Sequence, residues 1–225
     1  MSGLRPSHAN LPMQPLKVTV VSVTPFQQNC SIVACTVTNR AAIVDPGGDV
    51  ARLRTAIDEL KVTPEKILLT HGHIDHAGGA AELSEALAIP IEGPHEADAF
   101  LLSSLEAQGA RFGMTDVRSV TPTRWLTEGE SVGVGDVTFS VLLVPGHTPG
   151  HIVFVNAASR FALVGDTLFQ GSVGRTDFPY GDHDLLIGGI KGKLLPLGDD
   201  VTILPGHGPA STIGAERRSN GFLQG

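Results

Sequence analysis

Residues 70–79 read Thr-His-Gly-His-Ile-Asp-His-Ala-Gly-Gly and place four potential metal ligands, His71, His73, Asp75 and His76, within six positions. Imidazole nitrogens and a carboxylate oxygen at this density form the donor set of a transition-metal site, suited to zinc, iron or manganese. A His-x-His pair alone would be weak evidence, because two such histidines often line a polar turn. Asp-His directly after it makes the signal specific. Further donors each follow an apolar run: Val141 to Val144 leads into Pro145-Gly146-His147, Phe161 to Val164 into Gly165-Asp166, and Val201 to Leu204 into Pro205-Gly206-His207. His8, His95, His151 and His183 lack that shared context and stay out of the ligand set. The seven remaining donors exceed the four that close a tetrahedral structural zinc, so the pattern points to reactive rather than purely structural metal. His151, one residue past a glycine at the start of an apolar run, reads as a structural hydrogen-bonder.

The elements that must position these donors are short strands ending in turns. Apolar runs predict strands near 17–23, 31–37, 41–45, 66–70, 137–144, 151–156, 160–165 and 201–204. Helices are predicted near 49–60, 77–87, 95–107, 182–194 and 211–219, the fourth started by Asp182 and the last by Ser211. The first ligand run therefore falls on a strand-to-helix junction, where a sheet holds it and solvent still reaches it. Cys30 and Cys35 sit on one strand, five apart and so on opposite faces; free buried thiols are expected rather than a disulfide.

Thr24-Pro25-Phe26-Gln27-Gln28-Asn29-Cys30, Val44-Asp45-Pro46-Gly47-Gly48, Pro145-Gly146-His147-Thr148-Pro149-Gly150-His151 and Gly174-Arg175-Thr176-Asp177-Phe178-Pro179, together with the ligand run, resemble the metallo-β-lactamase fold, and within it the short single-domain glyoxalase II-like (hydroxyacylglutathione hydrolase-like) proteins. The resemblance extends from about Lys17 to Leu223 and implies an α/β chain folded as a four-layer αββα sandwich, with 1–16 as a flexible N-terminal arm and 17–225 as one hydrolase domain. It assigns His71, His73 and His147 to one metal, Asp75, His76 and His207 to a second, and Asp166 to a bridge between them. The implied cofactors are two divalent ions, zinc first, with iron or manganese as alternatives. The implied reaction is cleavage of a thioester such as S-lactoylglutathione by a metal-bound hydroxide held with Asp75 and Asp166. Metal binding brings the pKa of water from about 15.7 to about 7.

Arg175, Phe178 and Tyr180 are candidate substrate contacts, although Arg175 has a salt bridge to Asp177 as its competing role and the aromatics could equally pack the core. Asp45 has two readings: accepting a hydrogen bond from a ligating histidine, or fixing the Asp-Pro-Gly-Gly turn. The same motifs also resemble a mononuclear iron persulfide dioxygenase whose iron ligands match His71, His147 and Asp166. A non-catalytic metal protein has no supporting feature. A true β-lactamase is disfavoured because the resembling lactamases lack an aspartate at the position of Asp166. The two-domain glyoxalase II enzymes add a C-terminal helical domain that supplies part of the glutathione site, so that part must be missing or rebuilt. Gly221, where the short relatives usually carry proline, is expected to loosen the tail.

Composition agrees with one enzyme domain. Of 225 residues, 41% are hydrophobic, enough for a substantial core. The net charge of −7 without a Lys/Arg cluster argues against nucleic acid; the partner that the resemblance implies is a small-molecule thioester. No apolar run approaches the roughly 20 residues of a membrane helix and no secretion signal opens the chain, so a cytoplasmic monomer or small homo-oligomer is expected.

Overall fold

Strands buried on both faces read as nearly continuous apolar runs, and here each face belongs to a different layer of the molecule. The computed structural model describes residues 15–114 and 116–224. In chain order the elements are β1 (Leu16–Val23), β2 (Gln28–Cys35), β3 (Arg40–Val44), α1 (Val50–Leu60), β4 (Thr63–Leu68), α2 (Ile74–Ala77), α3 (Ala80–Leu87), β5 (Ile91–Glu92), α4 (Ala99–Ser103), α5 (Leu105–Arg111), β6 (Ser131–Val134), β7 (Val137–Leu143), β8 (Ile152–Asn156), β9 (Phe161–Gly165), β10 (Leu168–Phe169), β11 (Ser172–Val173), α6 (His183–Gly189), β12 (Thr202–Pro205), β13 (Ser211–Thr212) and α7 (Ile213–Ser219). One sheet runs β1-β2-β3-β4-β5, the other β13-β12-β9-β8-β7-β6, and β10-β11 form a small hairpin.

Three apolar layers separate four layers of structure. In β3, Ala41 and Ile43 face the layer shared with Leu53 of α1, Ala77 of α2 and Leu83 of α3. Its alternate residues Ala42 and Val44 face the layer between the sheets, opposite Phe139, Val141, Ile152 and Phe154. The second sheet repeats the alternation: Val153 and Val155 of β8 turn outward to Leu186 of α6 and Ile213 of α7. This period of two buries both faces of both central sheets and gives the expected αββα sandwich. Cys30 lies in the helix-facing layer and Cys35 in the inter-sheet layer, both as free buried thiols.

Several boundaries differ from the sequence reading. The strand expected at 31–37 is β2, which begins at Gln28 because Gln28 pairs with Val23 across a tight turn. Leu16, assigned to the arm, already pairs with Cys35 in β1, and residues 1–14 of that arm lie outside the described residues. The helix expected at 77–87 is split into α2 and α3 at Gly78-Gly79, where the backbone passes so close to Pro46 and Gly48 that a Cβ on Gly79 would lie 2.8 Å from Pro46 O. The helix expected at 95–107 divides at Ser104, whose hydroxyl donates to Leu101 O at 3.0 Å and competes with the helical ladder. Asp182 caps α6 as expected, accepting from Leu185 N, but the segment then opens into a π-helical turn over Ile190–Leu194. The last helix is capped by Thr212 rather than Ser211, which pairs in β13 and donates to Glu216. Short β5, β6, β10, β11 and β13 carry too few apolar residues to stand out in sequence.

The tail is tied down despite Gly221. Asn220 is buried and donates to Ser172 O and Glu216 Oε2, both at 2.9 Å, and accepts from Phe222 N, while Leu223 packs into the layer beneath α7. These contacts fix the segment without the stiffness of a proline.

Candidate metal centre

Strands β3, β4, β7, β9 and β12 release their chains at one edge of the sandwich. β3 pairs parallel to β4 and β9 parallel to β12, so the loops after them emerge together. That edge carries Asp45, His71, His73, Asp75, His76, His147, Asp166 and His207.

Two clusters of donor atoms form there. His71 Nε2 is 3.1 Å from His73 Nδ1, which is 2.9 Å from His147 Nε2. His207 Nε2 is 3.1 Å from Asp75 Oδ2, and His76 Nε2 is 3.9 Å from the same oxygen. Asp166 lies between them, with Oδ1 3.4 Å from His76 Nε2 and Oδ2 3.7 Å from both His147 Nε2 and His207 Nε2. The structure thus brings together all seven residues that the sequence singled out as ligands.

The hydrogen-bond partners fix what these atoms can do. The other ring nitrogen is committed in two histidines of the first cluster, His71 Nδ1 donating to Thr70 Oγ1 at 3.0 Å and His147 Nδ1 to Arg175 O at 2.8 Å, while His73 Nε2 and Tyr180 Oη share a hydrogen bond at 2.8 Å. The lone pairs of His71 Nε2 and His147 Nε2 then both face His73 Nδ1, and the three nitrogens together could hold a metal ion. In the second cluster His76 Nδ1 donates to Asp45 Oδ2 at 2.9 Å and His207 Nδ1 to Phe26 O at 3.2 Å, which turns both Nε2 atoms toward carboxylates. His76 Nε2 and Asp166 Oδ1 are buried and have no hydrogen-bond partner. A Cβ on Gly206 would collide with both side chains, so glycine is required where β12 ends. Orphaned polar atoms and imidazole and carboxylate donors together fit two divalent cations.

Electrostatics divide the clusters. Burial, reinforced by His147, lowers the pKa of His73 to about 3, and burial likewise holds His71 and His147 below the ordinary value. Burial also disfavours charge on His76, yet Asp166 and Asp75 outweigh it and hold its pKa well above normal. His207 is raised as well, its burial overcome by the hydrogen bond to Asp75 and the charge of Asp166. Burial would push Asp166 up, but His76 and its neighbours hold it far below the usual carboxylate range.

Asp45 takes the first of its two readings. Besides His76, it accepts from Thr70 N at 2.7 Å and Thr70 Oγ1 at 2.6 Å, and that hydroxyl receives the His71 proton, so one carboxylate orients a histidine in each cluster. His151, fully buried, accepts from Asp166 N at 2.9 Å through Nε2 and stacks on His71 with 4.7 Å between centroids, the structural role expected of it. Sequence reasoning missed Asp98. It is fully buried and accepts from Gly72 N at 2.9 Å, Thr148 Oγ1 at 2.8 Å and Gly150 N at 2.6 Å, which ties the loop of His71 and His73 to the loop of His147. Burial raises its pKa to about 6 against the lowering effect of those hydrogen bonds. Its signal was a lone carboxylate at the entry to the apolar Ala99-Phe100-Leu101-Leu102 run.

A cleft of about 770 Å³ opens over the donors. Phe178 and Tyr180 stack at 5.3 Å on one wall, and Phe26 meets Phe112 edge-on at 5.1 Å on another. Arg175 also lines the cleft, but Nε and Nη2 each reach Asp177 at 2.7 Å and the guanidinium lies 4.6 Å over Phe178.

The sequence of residues 23–207 matches the model of the metallo-beta-lactamase superfamily. The chain is 47% identical over 209 residues to the hydroxyacylglutathione hydrolase GloC of Haemophilus influenzae, covering 92% of this chain and 98% of that one. Among solved structures it is similar to the B3 metallo-beta-lactamase BLEG-1, with a TM-score of 0.85, 35% identity and coverage of 93% and 100%. TTHA1623 in a di-iron-bound form gives a TM-score of 0.83 at 36% identity, with 92% and 100% covered. ETHE1 from Myxococcus xanthus shares the fold at a TM-score of 0.71 and 24% identity, covering 92% of this chain and 83% of that one. Fold, donor constellation and sequence agree, and the chain belongs to the metallo-β-lactamase superfamily.

Proposed function

We propose that this protein is a metal-dependent thioester hydrolase of the hydroxyacylglutathione hydrolase type, acting on S-lactoylglutathione or a close relative. The observation that carries the reading is Asp166 between two complete donor triads, with its Oδ1 and His76 Nε2 both buried, 3.4 Å apart and without a hydrogen bond. A mononuclear site on His71, His147 and Asp166 would leave four of the seven donors, His73, Asp75, His76 and His207, outside the ligand set. The 47% identity to a protein named as a hydroxyacylglutathione hydrolase supports the same reading.

His71, His73 and His147 would hold one cation, Asp75, His76 and His207 the other, with Asp166 shared. Two such ions supply Lewis acidity and a nucleophilic water at neutral pH, its pKa lowered to about 7. The residues around them bind and orient. Asp45 and Thr70 lock the tautomers of His76 and His71. Tyr180 Oη holds His73 Nε2 by a hydrogen bond and lines the cleft; burial and the Asp98 charge raise its pKa, so the hydroxyl stays protonated. The aromatic walls exclude water and bury an acyl group. A thiol leaving group has a pKa near about 8.5, so it needs no protonated acid beside it.

The test pairs elemental analysis of protein purified without added metal with assays on S-lactoylglutathione, on glutathione persulfide under oxygen, and on a β-lactam. About two metals per chain with thioester cleavage is the expected result, and Asp166→Ala should lower turnover by at least about a hundredfold. One iron with oxygen consumption and no thioester cleavage would overturn the reading.

A further inference from the structure

The cleft is asymmetric in charge. Its cationic lining consists of Arg175 and Arg111, and only Arg175 has a carboxylate partner, Asp177. Arg111 ends α5, is exposed, and has no ion pair or hydrogen bond among the described residues. Its position is fixed by helix geometry. Ser104, Ala107, Gln108 and Arg111 all line the cleft, and their spacing of three, four and seven residues defines one face of a helix. The opposite face is anchored, since Leu105 and Gly109 are buried.

Gln108 sets the register of that face against the donors. Its Oε1 accepts from Ile74 N at 3.0 Å, directly after His73, while its Nε2 is spent on Leu101 O and Ser104 Oγ. Arg111 lies three residues further along the same face, roughly 4.5 Å up the helix axis at 1.5 Å per residue. Beside it Phe112 and Phe26 form an exposed aromatic pair at the cleft mouth. A guanidinium without an ion pair or hydrogen bond among the described residues, beside an apolar rim and one helical turn beyond a side chain that touches the donor loop, suits a carboxylate at the far end of an extended substrate.

We propose that Arg111, rather than Arg175, is the specificity-determining residue that receives a carboxylate of the thiol portion of the substrate. This rests on the thioesterase reading above and assigns it a substrate class: thioesters of small anionic thiols, with the acyl group at the donors and the anionic end at the C-terminus of α5. Arg175 instead braces the Phe178 wall through Asp177 and fixes His147 through its backbone carbonyl.

The experiment compares the wild-type holoenzyme with Arg111→Ala, Arg111→Lys and Arg175→Ala on S-lactoylglutathione and on the neutral thioester S-lactoyl-N-acetylcysteamine. Calorimetric binding of S-hexylglutathione, a non-hydrolysable probe, is measured alongside. Arg111→Ala should lower kcat/KM for S-lactoylglutathione about tenfold, mostly through KM, weaken S-hexylglutathione binding by a similar factor, and leave the neutral thioester unchanged. Arg111→Lys should recover part of the loss, and Arg175→Ala should affect both substrates alike. Equal turnover and S-hexylglutathione binding in wild type and Arg111→Ala, or an equal fall on both thioesters, would overturn the role of Arg111 while leaving the hydrolase reading intact. Failure of the wild type to cleave either thioester would overturn the hydrolase reading itself.

Discussion

Asp45 shows how much one residue contributes without facing the cleft. Its two oxygens collect His76 Nδ1, Thr70 N and Thr70 Oγ1, so its removal frees a histidine in each cluster. Asp45→Ala should lower metal affinity about 10–100-fold, read by competition with a chromogenic chelator; unaltered affinity would restrict Asp45 to the turn. The opposed pKa shifts give a second expectation. A cation must displace any proton on its ligating atom, and protons compete most where the pKa is raised, at His76 and His207, and hardly at His73, which stays neutral above about pH 3. As pH falls from about 7.5 to about 5, the ion held by Asp75, His76 and His207 should leave first, taking metal content from about two to about one. Simultaneous loss of both ions would contradict the assignment. The donors themselves were legible in sequence because their types are rare and each follows an apolar run. Asp98 was not, because its partners lie 26, 50 and 52 residues away and nothing local marks them.

Between residue and fold, loops are coupled through buried acceptors. Asp98 receives three donors and makes no salt bridge among the described residues, so Asp98→Ala would strand Gly72 N, Gly150 N and Thr148 Oγ1 in a dry environment. At about 1–3 kcal/mol per unsatisfied group the loss is about 3 kcal/mol or more, and at about 2–4 °C per kcal/mol the Tm should fall by roughly 6 °C or more by calorimetry. Metal affinity should fall with it, because His71, His73 and His147 lose their common brace; a variant with wild-type Tm and metal content would remove Asp98 from that role. Element types were readable from periodicity, but their breaks were not. The splits at Gly78-Gly79 and Ser104 depend on Pro46, Gly48 and Leu101, contacts that exist only once the chain has folded.

At the scale of the whole molecule, continuous apolar runs indicated many strands buried on both faces, but they did not state which sheet each joins. β13-β12-β9-β8-β7-β6 is out of chain order, and short β5 and β13 complete the two sheets with two residues each. The family resemblance supplied the four-layer sandwich, though not the strand order, and the layered core accounts for those layers. The same layering gives the two cysteines a use. Cys30 is sealed between a sheet and its helices and Cys35 between the sheets, and both are fully buried, so access limits their alkylation in the native state. Burial pushes the Cys30 thiol well up, while at Cys35 burial is outweighed by hydrogen bonds around Thr38, which lower its pKa. Each becomes a clock for one seam of the sandwich. Under native conditions a maleimide should mark Cys30 at the rate the helices lift and Cys35 at the rate the sheets part, and the two rates, separated by peptide mass analysis, should differ if the seams open independently and coincide if the four layers come apart as one.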